Sequence, residues 1–95
     1  MEGRASISAD ILARYAADAA GEVDGVRGLS GRHGVKIESG DGVVRVELHV
    51  IADWGVSLPE VGRKMQTRVR EYLVRMADVE PAAVDVVVDE VGPAS

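Results

Sequence analysis

Ninety-five residues with a formal net charge of −5 at pH 7 leave room for one domain around one core. The absence of cysteine removes disulfides, thiolate metal sites and cysteine nucleophiles. The acidic balance opposes general nucleic-acid binding, which draws on Lys and Arg to neutralise phosphates. No apolar run approaches the ~20 residues of a membrane span. Met1 to Ser8 lacks a signal-peptide pattern, so a soluble, cytoplasmic chain is the expectation.

The first periodic segment is SADILARYAADAAGEV. Ile7, Ile11, Leu12, Tyr15, Ala16 and Ala19 fall at helical spacing on one face, with Ser8 as N-cap and Gly21 as the stop. The period then changes. Val26 to Ser30 is expected to form a short strand, and RHGVKIESGDGVVRVELHVIADWG reads as a hairpin around Gly40-Asp41-Gly42. Within it Val44, Val46, Leu48, Val50 and Ala52 alternate with Arg45, Glu47 and His49. Ser57 and Glu60 make a capping box for a second helix, with Pro59 in its first turn. Leu58, Val61, Met65, Val69, Tyr72, Leu73 and Met76 line one face of that helix. Past Pro81, AAVDVVVDEV alternates as a closing strand.

This order predicts a single α+β domain over residues 1–95, ordered from about 6 to 91. Two helices would pack on one face of a mostly antiparallel sheet. The other face would stay open. It would carry Lys36, Glu38, Arg45, Glu47, His49, Asp85 and Asp89 with Val43, Ile51, Val87 and Val91 among them, a contact surface for another copy or another protein.

Catalytic and cofactor patterns are sparse. His33 and His49 are the two histidines and lie in separate segments, and no serine sits in a G-x-S-x-G elbow. No phosphate-binding glycine motif occurs either. Glu47 and His49 share a strand face and could begin a metal site, against the plainer reading of a solvated, mixed-charge face. Asp85 and Asp89 are expected to approach Arg45 or Lys36 across strands. No catalytic residue, cofactor or metal is assigned, and the chain is expected not to be an enzyme.

Three features remain as interaction candidates. Lys64, Arg68 and Arg75 form a stripe on the second helix, flanked by Arg63 and Arg70, opposite its apolar face. A solvated face, with Glu71 pairing to those cations, is the plainer alternative. Trp54 is either an exposed anchor at an interface or, as expected, a cover for the end of the core. Gly25-Val26-Arg27-Gly28 is a GxxG that could clamp a nucleic-acid backbone together with the basic helix face. The flanking Glu22 and Asp24 argue instead for a join between helix and sheet.

The whole pattern resembles the alkaline shock protein family of Gram-positive bacteria, associated with cell-envelope stress. The segments that carry the likeness are ISADILARYAADAAGEVDGVRGL, GVKI, the valine-rich strand ending at Trp54-Gly55, LPEVGRKMQTRVREYLVRM with Gln66 inside it, and AAVDVVVDEV. They run in family order from about Ser6 to Val91. Ala77-Asp78 departs from the Thr-Gly common there. The resemblance implies a non-enzymatic cytoplasmic protein that forms homo-oligomers and can be held at the membrane by a small membrane-anchored partner; nucleic acid is an unlikely ligand on the acidic charge balance.

Overall fold

Residues 43–52 are β-branched and apolar at every second position, and this segment becomes the strand that organises the sheet. The computed structural model describes residues 7–31 and 34–93. Its elements are α1 (Ala9–Gly21), β1 (Val26–Leu29), β2 (Val35–Gly40), β3 (Val43–Ala52), α2 (Leu58–Ala77) and β4 (Ala83–Val91). β3 pairs antiparallel with β2, from Val35 opposite Leu48 to Gly40 opposite Val43. Further along the same margin it pairs antiparallel with β1. On its other margin β3 pairs with β4, and there the strands run parallel. α2 is the crossover that a parallel pair requires.

The hairpin turn follows directly from its residues. Asp41 and Gly42 both have positive φ, as a two-residue type I′ loop demands, and Asp-Gly is among the pairs that tolerate it. α1 begins where Ser8 accepts a bond from the Ile11 amide. α2 begins where Ser57 accepts one from the Glu60 amide. Its far end closes with Asp78 in the left-handed region, its amide bonded to Val74 O and that of Val79 to Leu73 O, satisfying carbonyls at the helix end. Asp78 occupies the conformation that the more usual glycine would take.

Both helices cover the same face of the sheet. Val61, Met65, Val69 and Leu73, one i, i+4 row of α2, meet Val46, Leu48, Val50 and Val84 below and Leu12, Ala16 and Ala19 of α1 alongside. The small alanines of α1 let the two helices approach closely, and Tyr15 meets Tyr72 edge-to-face at 5.9 Å. Truncating Met65 or Leu73, both fully buried, would cost about 2–5 kcal/mol. The first turn of α1 departs from the expected apolar face. Ile7, just ahead of the helix, and Ile11 are 40% and 43% exposed, whereas the neighbouring Leu12 is buried.

Gly25 fixes how the chain leaves α1. Its φ is +98°, and a Cβ there would stand 2.9 Å from Val61 Cγ2. Its carbonyl accepts the Asp53 amide at 2.8 Å, which ties the α1–β1 join to the end of β3. Gly28 has neither constraint, because a Cβ there meets nothing within 4 Å. Gly25→Ala should therefore destabilise by about 1–3 kcal/mol and Gly28→Ala by less than about 0.5 kcal/mol, read by thermal or denaturant melts.

Candidate functional site

The outer face of the sheet is built by the odd-numbered residues of β3. Their even-numbered neighbours are fully buried under the helices from Val46 to Ala52, so Arg45, Glu47, His49 and Ile51 must point the other way. Register places Glu38 of β2 opposite Arg45 and Lys36 opposite Glu47. β4 places Asp85 beside Glu47 and Val87 beside His49. Acidic groups outnumber basic ones on this face, and the excess lies on β4.

His49 is held from both sides. Its Nε2 lies 2.6 Å from Glu47 Oε2, and its Nδ1 lies 3.2 Å from Asp89 Oδ2. Glu47, then Asp89, raises the imidazole pKa above its ordinary 6.5, because both carboxylates favour the charged ring. With one carboxylate on each ring nitrogen, the arrangement is that of a doubly hydrogen-bonded imidazolium. Asp89 is thus engaged by His49 rather than by Arg45 or Lys36, and Asp85 stands next to Glu47, a like charge. Among the described residues no group of three His, Asp or Glu side chains is arranged to hold a metal. His33 lies outside the described residues.

A bulge in β4 corrects the expected membership of this face. Val88 pairs with Val50, but Glu90 pairs with Ile51 and Val91 with Ala52, so Asp89 is the extra residue. One inserted residue reverses the alternation. Val43, Ile51 and Val87 stay on the outer face, whereas Val91 moves to the helix side. There it joins Trp54, Val56 and Leu58 around a shallow apolar hollow. Trp54 does not close the core as expected. It is 66% exposed, with Leu58 and Val91 beside it at 37% and 41%.

The basic stripe of α2 is partly spent on internal contacts. Arg68 Nη1 reaches Glu22 Oε1 at 3.0 Å, bridging the two helices, and Lys64 pairs with Glu60 at 3.4 Å. Arg75 lies over the Tyr72 ring, 5.5 Å from its centroid. Partners other than the expected Glu71 are therefore used. Arg70 turns away from the stripe altogether and donates to Pro81 O at 2.7 Å, pinning the entry to β4. Arg63 remains exposed beside Lys64, Thr67 and Arg68 in a groove that Glu22 and Asp24 close from the other side.

The GxxG stretch is likewise engaged internally. Arg27 is the bulged residue of β1 and pairs with Asp53 at 3.7 Å. Its side chain lies against Gly92, where any Cβ would collide with it. Gly25 and Gly28 are thus a turn and a strand residue, not the tip of a loop between two helices.

Comparison with known proteins fits this picture. Residues 30–93 match the model of the alkaline shock protein 23 family, described as having a cell envelope-related function. An uncharacterised protein, YqhY of Bacillus subtilis (strain 168), is 26% identical over 92 residues, covering 81% of this chain and 68% of that protein. Among solved structures, the MamM CTD superposes with a TM-score of 0.62 at 12% identity, covering 87% of this chain and 99% of that one. A manganese form of a MamM CTD variant gives 0.61 at 13% identity, with the same coverage. At such identity these structures bear on the fold alone. The match across residues 30–93, together with the element order seen here, shows that the chain belongs to the alkaline shock protein 23 family.

Proposed function

We propose that this chain is a non-enzymatic interaction module, self-associating and cytoplasmic, which acts at the cell envelope through a membrane-anchored partner. Family membership over residues 30–93 is the observation that carries the envelope role. Among the described residues no helix is long and apolar enough to cross a membrane, and a membrane-anchored partner is the route to the envelope in this reading. The case for self-association rests on large apolar side chains left at the surface, Trp54 above all, together with Leu58, Val87 and Val91. Lys64, Arg63 and Arg75 supply the exposed cations that an acidic partner segment would meet.

The direct test is mass by light scattering across a concentration series. Dimers or larger species should appear with rising concentration, and Trp54→Ala should weaken them if the hollow at that end contributes; a strict monomer at millimolar concentration would end the self-association reading. For the partner, vesicles rich in anionic lipid should leave the isolated chain in the supernatant. Membranes from the native cell should retain it, and the Lys64→Glu, Arg75→Glu double variant should be released from them.

His49 gives a pH signature of the outer face. Since its folded pKa is raised, protonation stabilises the fold fully below the unfolded value of 6.5, and that contribution disappears as pH rises through the folded value. An NMR titration should place the His49 midpoint above 6.5. Glu47→Gln and Asp89→Asn should each bring it down, Glu47→Gln the further of the two.

A further inference from the structure

β4 is the one long margin of the sheet that is unpaired among the described residues. On the opposite side of β3, the margin is divided between the four residues of β1 and the six of β2, with residues 30–34 between them. β4 is nine residues long, contains neither proline nor lysine, and pairs with β3 alone. Proline and lysine are common means of discouraging edge-to-edge pairing. The helix layer reaches only its beginning, where Gln66 Nε2 donates to Val84 O at 3.0 Å.

The side chains along this margin are apolar and incompletely covered. Val86 and Val88 share the helix side with buried Val84, yet both are only half-buried. Val87 is 39% exposed on the other side.

Charge selects what can cover it. Two antiparallel copies of β4 related by a two-fold axis can meet with the axis on Asp85, Val86, Val87 or Val88; on Asp85 the two aspartates oppose each other, and on Val88 the bulge at Asp89 interrupts the ladder beside the axis. On Val87, Asp85 of each copy would face Asp89 of the other, a pair of like charges that also competes with the His49 contact. On Val86, Val84 faces Val88, Val86 faces Val86, and Asp85 faces Val87, with no like charges opposed. The geometry points to a second copy of this chain as the occupant, its β4 added antiparallel to this β4 about Val86, giving one sheet continuous through the dimer. This rests on the self-association reading and assigns its surface.

Two measurements test it. The chain has no native cysteine, so Val86→Cys should form an intermolecular disulfide under mild oxidation, with Arg63→Cys on α2 as an uncrosslinked control. Val87 is exposed in the single copy, so its replacement leaves the core intact. Val87→Glu would set Glu against Asp85 twice per dimer and should raise the dimer Kd by about tenfold, whereas Val87→Lys would set Lys against Asp85 and should lower it. Self-association that ignores the sign of charge at position 87 and gives no link through Cys at 86 would overturn the edge assignment while leaving the self-association reading in place. A wild-type chain that stays monomeric would overturn both.

Discussion

The ten residues of β3 are hydrogen-bonded along both margins, and each other strand is paired to β3 alone. Its alternation supplies both the floor of the core, in Val46, Leu48, Val50 and Ala52, and the centre of the outer face, in Arg45, Glu47, His49 and Ile51. A slip of one residue would exchange these two sets and place Glu47 and His49 beneath the helices without water. The Asp41-Gly42 turn resists that slip on one side. On the other, the Gly25–Asp53 backbone bond fixes where β3 ends.

Placed around that strand, the remaining contacts fall into two classes. Apolar burial under α1 and α2 supplies the cohesion, while a few polar contacts orient the ends of elements. Glu22–Arg68 locks the two helices, Arg70–Pro81 starts β4, and Arg27–Asp53 seals the join from α1. As exposed or half-exposed contacts, each contributes on the order of 1 kcal/mol or less. Their value lies in orientation rather than in strength.

Much of this architecture is legible in the sequence. Alternation from Val44 to Ala52, the Asp-Gly turn and the Ser57/Glu60 capping box are local signals, and local sequence determines local backbone. The two helices on one face followed from one apolar side per element. What escaped reading depends on partners distant in sequence. The parallel direction of β4 is set by the α2 crossover, and the bulge at Asp89 that moves Val91 to the helix side leaves no trace in a regular run of valines. Arg70 lay at a position indistinguishable from Arg63 by spacing, and only the docking of Pro81 beneath it separates the two. Trp54 had the profile of a core cover, but it follows the last buried residue of β3 by two and emerges beyond the roof that α2 provides.

The position of Trp54 also determines what light can report. As the sole indole, two-thirds exposed in the folded single chain, it should emit close to the wavelength of a water-bathed tryptophan whether the chain is folded or not. Intrinsic emission is therefore a poor gauge of unfolding in this molecule. A blue shift that grows with concentration would instead mark the burial of that ring by another chain, so the protein carries its own label for assembly.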